Sequence, residues 1–389
     1  MKVYFDSAAT TQMHEEVIDV MVNGMKEKFG NPSSTHFFGR ESKAEIEKVR
    51  KDIAKYTGVN ASEIIFTSGG TEANNLIIRS VVEHLGVERI ITSVLEHKCV
   101  AETTKEVCSK KDLELLLLPI KKDGNLDFET LEKYLKDSPK KTLVTLMHAN
   151  NEIGNIYDIE KIGKICEENQ AYFHSDMVQT LGHFAINLHE LPVHFASSSA
   201  HKYHGPKGAG FAYIKKGTGL KAQITGGGQE RNLRSGTENL HGILGMGKAF
   251  EMANQNFDNE IKRIKSLKKY TIKKLNQAFP DVIYNGKSAD LEESLYTILS
   301  VLLPFHDSLI GFELDLKGIA ASQGSACSSG ASKASAVITA LHDASVLKAT
   351  TPLRLSFSIY NSEEEIDYLV QSLVEIAEKQ KARNQAKEN

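Results

Sequence analysis

His194-Phe195-Ala196-Ser197-Ser198-Ser199-Ala200-His201-Lys202 is an apolar run that closes in small polar residues and a lysine, just before Gly205-Pro206-Lys207-Gly208. His194 to Ser198 reads as a strand. A lysine just past a strand end projects into a cleft, where burial or neighbouring charge tunes its amine for covalent work. The hexapeptide Ser197 to Lys202 also fits a surface lysine in a turn. Similar runs precede and follow it: Glu63 to Thr67, Arg89 to Ser93, Leu115 to Leu118, Leu143 to Met147, Ala171 to Ser175 and Gly210 to Ile214. Several are continuously apolar, the mark of strands covered on both faces. Between them lie helical patterns, such as Ile46, Val49, Ile53 and Tyr56, and the stretch Thr71 to Leu85. Strands interleaved with helices predict an α/β sheet, mostly parallel, with helices on both faces.

The texture changes near residue 255. Asn254 to Gln277 reads as a long charged helix bridging two domains. Strand Tyr296 to Leu302, helix Ser308 to Leu316, strand Leu353 to Phe357 and helix Glu363 to Lys379 then predict a smaller α+β domain. The expected division is a large domain over 12–255 and a small one from 1–11 and 256–380, the latter carrying a loop at about 322–352.

Charge is nearly balanced, with 47 basic against 50 acidic residues in 389, net −3. That argues against direct nucleic-acid binding through bulk charge. The run Lys262 to Lys274 reads as a solvated helix face. No apolar run reaches the roughly 18 residues that a membrane span needs. Met1 to Thr11 is not a basic-then-apolar signal. The expectation is a cytoplasmic protein without a membrane partner. Four cysteines, none in a CxxC pair, do not make a disulfide framework.

Several segments carry candidate chemistry. Ser175-Asp176-Met177-Val178-Gln179 ends another strand, and an aspartate there either pairs with a protonated ring nitrogen or caps the next turn. Asp176 and Lys202 stand 26 residues apart, strand end to strand end, which favours the functional reading. Thr67-Ser68-Gly69-Gly70-Thr71 is a strand opening into a helix, where free backbone N–H groups suit a phosphate. In Glu96-His97-Lys98 the histidine is either structural or a stacking and proton-handling group. Met147-His148-Ala149-Asn150-Asn151-Glu152 offers amides to a ligand or to a turn. Gly226 to Thr237 reads as a flexible basic loop, either a linker or a reach toward a phosphate in a neighbouring subunit. Finally, Cys327 sits among Gly, Ser and Ala, from Ser322 to Gly330, which reads as an exposed loop with a reactive thiol. Cys99, Cys108 and Cys166 read as packed in helical segments.

Taken in order, Asp6-Ser7-Ala8-Ala9-Thr10-Thr11, Gly30-Asn31-Pro32-Ser33-Ser34, the Thr71 turn, Asn150 to Gly154, Ser199 to Lys202, Gly228-Gln229-Glu230-Arg231 and Gly324 to Cys327 resemble the cysteine desulfurases of the nitrogen-fixation and iron–sulfur-assembly type, within the class V aminotransferases. The resemblance spans nearly the whole chain. It implies a pyridoxal 5'-phosphate enzyme of fold type I, working as a homodimer. By resemblance, Lys202 binds the cofactor covalently, Asp176 pairs with its ring nitrogen, His97 stacks on the ring, and Asn151 and Gln179 contact it. Gly70, Thr71, Ser199 and His201 form the phosphate cup, with Thr237 lent by the other subunit. Arg354 and Asn31 bind the substrate L-cysteine, and Cys327 takes its sulfur as a persulfide. Lys202 and His97 are the implied proton handlers. The implied products are alanine and sulfur passed to an acceptor protein, an iron–sulfur scaffold or a sulfur carrier for tRNA thiolation. Departures from the family pattern are Met177 for a common Ala, Gln323 for Ser, and the stretches Ser332 to Ala336 and Asp343 to Pro352. The first bears on cofactor packing, and the others bear on the Cys327 loop and its acceptor. The alternatives are a selenocysteine lyase or another class V aminotransferase or lyase, which would share Lys202 and Asp176, and a non-catalytic scaffold.

Overall fold

The computed structural model describes residues 1–323 and 335–388, so Cys327 lies outside the described residues. Its strands are β1 (Val3–Tyr4), β2 (Ile64–Thr67), β3 (Arg89–Ser93), β4 (Glu114–Leu118), β5 (Thr142–Thr145), β6 (Tyr172–Asp176), β7 (Phe195–Ser199), β8 (Gly210–Ile214), β9 (Ile283–Tyr284), β10 (Ile298–Leu303), β11 (Ile319–Ala320) and β12 (Thr351–Ser356). Seven of them form one sheet in the order β2-β8-β7-β6-β5-β3-β4. The pairs from β4 through β7 are parallel, while β8 runs antiparallel to both β7 and β2. The predicted mostly parallel sheet is present.

Alternation along the strands explains the two helical layers. Ile65, Ile90, Leu143, Phe195 and Ala212 pack with helix Gly70–His84 and helix Lys98–Lys111. Ile64, Phe66, Ile91, Val144, Phe173, Ala196 and Phe211 face the other way, against helices Phe37–Thr57, Ile159–Glu168 and the start of Leu240–Ala278. Each fully buried side chain of this size contributes about 1.5–3 kcal/mol, so neither face tolerates water. The carboxyl ends of the parallel strands are left as the natural mouth of such a sheet.

A second apolar core gathers Phe5, Ile264, Leu267, Leu299, Val301, Leu353, Leu355, Ile366 and Leu369. Its sheet order is β12-β10-β9, all antiparallel. Here β12 begins two residues earlier than expected and includes Pro352, which an outer strand accepts because one side needs no ladder donor. The long helix Leu240–Ala278 spans 39 residues, against the expected start at Asn254. Its first half packs in the first core and Ile264, Leu267 and Leu275 pack in the second. The composition change near 255 marks a change of packing partner along one helix, and not a helix start. Lys268 corrects the reading of a solvated lysine face: it is fully buried and donates to Ser294 Oγ (2.7 Å) and Leu295 O (2.8 Å).

The N-terminal segment ties the two cores together. β1 pairs in parallel with β11, Ala8 N donates to Ser356 Oγ (2.9 Å), and Thr11 N donates to His201 O (2.9 Å). Asp6 to Thr11 is thereby laid across the mouth of the large sheet. No helix among the described residues is long and apolar enough to cross a membrane.

Candidate active site

A cavity of about 780 Å³ opens at the carboxyl ends of β6 and β7. Asp176 is the last residue of β6 and pairs with Ser197 of β7, so the two strand ends lie side by side. Lys202 follows β7 on a single 3₁₀ turn, Ala200–Lys202. Its Nζ donates to Ala8 O (2.6 Å) and Ala9 O (2.9 Å), while its own carbonyl accepts from His183 Nε2 (3.0 Å). Asp176 is 7% exposed, with Oδ2 accepting from Asn74 Nδ2 (2.7 Å) and Oδ1 from Val178 N (3.0 Å). Both residues line the cavity, as the 26-residue spacing suggested.

The Gly-rich turn opens directly into a helix N-terminus, the kind of end whose free N–H groups favour an anion. Gly69 has φ +147°, a conformation side chains rarely adopt, and helix Gly70–His84 starts directly after it. Glu72 Oε2 accepts from Ser68 N (2.8 Å) and Glu72 Oε1 from Arg234 Nε (2.8 Å), holding the turn on both sides. A Cβ on Gly70 would stand 2.5 Å from Val178 Cγ2. Gly210, paired with both Ser199 and Thr67, has no room for a Cβ either: Ser198 O would be at 2.5 Å and Gly69 Cα at 2.7 Å. That close packing brings the turn against Ser199, which with Gly70, Thr71 and His201 lines one part of the cavity. His201 Nδ1 is buried without a hydrogen-bond partner among the described residues. Burial first, then Lys202 and Lys207, push the His201 imidazole down to about 4, so it is neutral.

His97 caps helix Lys98–Lys111, its Nδ1 accepting from Cys99 N at 3.3 Å and lying 3.0 Å from Cys99 Sγ. Burial lowers its pKa, Asp176 raises it, and Lys202 and Lys98 lower it further. Cys99 corrects an expectation: it is not packed away but half-buried and on the cavity wall, whereas Cys108 and Cys166 are buried. Gln179 Nε2 donates to Ala8 O (3.1 Å). Arg354, on β12 and 3% exposed, donates from Nη1 to Asn151 O (2.8 Å) and from Nη2 to Asp6 Oδ1 (2.7 Å), with Nε unpartnered among the described residues. Asn151 and Arg354 both line the cavity.

Two expected residues are not brought in. Asn31 and Thr237 are exposed and stand outside the cavity wall of a single chain. The loop that carries Thr237 is not the free linker its composition suggested. Glu230 is buried and forms a two-pronged ion pair with Arg50 (2.7 and 2.8 Å), and its Oε2 also accepts from Phe66 N (2.7 Å). Cys327 belongs to residues outside the description. Just before them, Ser322 pairs by main chain with Arg354, and just after them Ala336 and Val337 line the cavity.

Four contributions escaped sequence reasoning. The carbonyls of Ala8 and Ala9 hold Lys202, Asp6 holds Arg354, Asn74 holds Asp176, and His183 holds the Lys202 main chain. Asp6 to Ala9 stood within a quoted motif, and Asn74 three residues past Thr71, yet nothing local in the sequence pairs them with partners so distant. Among the described residues no cluster of His, Cys, Asp or Glu fits a metal ion.

Residues 3–369 match the family model described as Aminotransferase class-V. A curated relative, "Cysteine desulfurase IscS" of Dictyoglomus turgidum, is 42% identical over 380 residues, covering 97% of this chain and 95% of that protein. The solved structure titled "NIFS-LIKE PROTEIN" superposes with a TM-score of 0.88 at 37% identity, covering 97% of this chain and all of that one. Another, "SspA in complex with cysteine", gives a TM-score of 0.77 at 29% identity over 93% of this chain and 100% of its own. With the sheet order, the lysine and aspartate at adjacent strand ends and the family match all in agreement, the chain belongs to the class-V aminotransferase family.

Proposed function

We propose that this protein is a pyridoxal-phosphate-dependent cysteine desulfurase. The observation that carries the reading is the placing of Lys202 and Asp176 at neighbouring strand ends, beside a Gly-rich helix N-terminus and a buried His201 Nδ1 that has no partner among the described residues and is free to donate to a phosphate oxygen. These residues fit the cofactor. The Gly69–Gly70–Thr71 backbone, Ser199 and His201 suit its phosphate, and Asp176 its ring nitrogen. His97 suits its ring face, Gln179 and Asn151 its polar edge, and Lys202 its aldehyde. When bound, the cofactor supplies the electron sink that makes a substrate Cα–H acidic.

The chain's own groups do the rest. Asp176, held by two donors, keeps a proton on its partner nitrogen. Lys202 Nζ takes and returns the Cα proton. Arg354 orients the substrate through its carboxylate. His97 exchanges a proton with the substrate thiol. Overall, L-cysteine and the Cys327 thiol give L-alanine and a Cys327 persulfide, one C–S bond breaking as one S–S bond forms. The roles of Cys327, Asn31 and Thr237 rest on the family resemblance. Cys327 is further supported by its place between Ser322, which pairs by main chain with Arg354 of the cavity, and Ala336 on the cavity wall, and the exposure of Thr237 and Asn31 is consistent with roles across a subunit interface. A homodimer, a protein acceptor for the sulfur, and a cytoplasmic setting complete the proposal. The unpaired thiols Cys99, Cys108 and Cys166 suit a reducing compartment. The separate cores support a division into a large and a small domain.

The test is optical. Wild type mixed with pyridoxal phosphate and freed of excess should keep an absorbance band near the visible that sodium borohydride abolishes. Lys202→Ala should not retain it. Retention of the same reducible band by Lys202→Ala would refute the cofactor role of Lys202.

A further inference from the structure

Asn74 lies at the centre of a chain of hydrogen bonds that the reaction scheme above does not use. It is fully buried on helix Gly70–His84. Its Nδ2 lies 2.7 Å from Asp176 Oδ2 and 3.3 Å from Cys99 Sγ, and its Oδ1 lies 3.1 Å from His174 Nε2. The opposite amide orientation would set two acceptor oxygens 2.7 Å apart, so the carboxylate of Asp176 fixes which end is nitrogen. Both Nδ2 hydrogens are then committed, one to Asp176 and one to Cys99. Oδ1 must accept, which puts the His174 proton on Nε2. His174 Nδ1 in turn accepts from Thr145 Oγ1 at 2.8 Å. His174, buried to a pKa of about 4, is neutral and suits that tautomer.

The same logic runs on toward the cavity. Cys99 Sγ accepts from Asn74, and its own proton points to His97 Nδ1 at 3.0 Å. Burial raises the Cys99 thiol to about 12, so it stays a donor. His97 Nδ1 also receives the Cys99 backbone N–H at 3.3 Å. With two donors on Nδ1, the neutral imidazole carries its proton on Nε2. Thr145, His174, Asn74, Cys99 and His97 thus form one directional series, and each bond polarises the next in the same sense. Asp176 branches from its centre.

We infer that Asn74 is a positioning residue that, through Cys99, holds His97 in the neutral Nε2–H tautomer and links it to Asp176. The two groups assigned to the ring face and the ring nitrogen are therefore tied through the Asn74 amide and the Cys99 thiol. The charged and titratable groups around His97 are Asp176, Lys202 and Lys98, with Glu96 beside it in sequence and Cys99 on the next helix. The part that concerns turnover rests on the desulfurase reading; the part that concerns His97 does not.

The experiment is imidazole nitrogen NMR on the full chain labelled with ¹⁵N-histidine, with and without pyridoxal phosphate, His97 being assigned by His97→Gln. Wild type should show His97 protonated on Nε2 with a low titration midpoint. Cys99→Ala removes the thiol donor and should raise that midpoint by about one unit, a tenfold gain in proton affinity. Cys99→Ser should restore it. Asn74→Ala should shift His97 in the same direction as Cys99→Ala and release the His174 tautomer. With L-cysteine, Asn74→Ala should lower kcat about tenfold with KM within about twofold, the loss of an interaction made in the transition state. A wild-type His97 protonated on Nδ1, or one midpoint shared by wild type and Cys99→Ala, overturns the inference. The Cys99 pair carries the test alone if Asn74→Ala does not fold. A correct His97 tautomer in a protein that does not turn over cysteine would instead sink the desulfurase reading.

Discussion

Arg354 Nη2 lies 2.7 Å from Asp6 Oδ1, joining residues 348 positions apart at the edge of the cavity. The aspartate and the Asn151 carbonyl hold two prongs of the guanidinium, and the third, Nε, is buried with no partner among the described residues. A side chain held this way is stiff before any substrate arrives. Lysine keeps the charge and loses the fork. Arg354→Lys should raise KM for L-cysteine about 10- to 100-fold, the equivalent of one charge-assisted hydrogen bond, with a smaller change in kcat. Steady-state kinetics check it, and an unchanged KM would remove Arg354 from substrate binding.

Gly70 leaves no room for a methyl group, since its Cβ would stand 2.5 Å from Val178 Cγ2. Gly70→Ala should push Val178 away from the turn at a cost of about 1–3 kcal/mol in fitted packing. The expected outcome is a rise of about tenfold in the dissociation constant for pyridoxal phosphate, read by absorbance titration. Equal cofactor affinity would show that the turn does not serve the phosphate.

The Arg50–Glu230 pair is 2% and 5% exposed and bidentate. Removing one partner strands the other charge. Glu230→Ala should cost about 3–5 kcal/mol in urea unfolding. The double change Arg50→Met with Glu230→Met should recover most of that. A single-variant loss below about 1 kcal/mol, the worth of an exposed pair, would contradict this account.

Lys268 is pushed down to about 7 chiefly by burial. Its folded-state pKa is therefore below the roughly 10.4 of the unfolded chain. Between those values the unfolded state binds more protons, so stability contributed at this site rises with pH over about 7 to 10.4. Lys268→Met should lack this component, and the gap between variant and wild type should change with pH across that window. Parallel stability curves would mean that Lys268 stays charged in the fold.

The sheet was legible because its strands are short apolar runs separated by helical periods, and the strand-end residues Lys202 and Asp176 stood out by type and position. The Gly69–Thr71 turn was legible for the same reason: only a backbone feature needs glycine there. Long-range partners were not. Nothing in Asp6-Ser7-Ala8-Ala9 predicts that two of its carbonyls meet Lys202 Nζ, because a carbonyl has no sequence signature. Asn74 reads as an ordinary helical asparagine until the helix is docked on β6 and β7. Local composition points Lys268 and the loop that carries Glu230 toward solvent, since polar character says nothing of a buried partner that tertiary packing supplies.

The most direct measurement is alanine and sulfide release from L-cysteine with a thiol reductant, wild type beside Cys327→Ala. The account predicts both products one to one from wild type and neither from the variant. Alanine formed by Cys327→Ala at the wild-type rate would contradict it, and would make the protein a lyase or transaminase on the same scaffold.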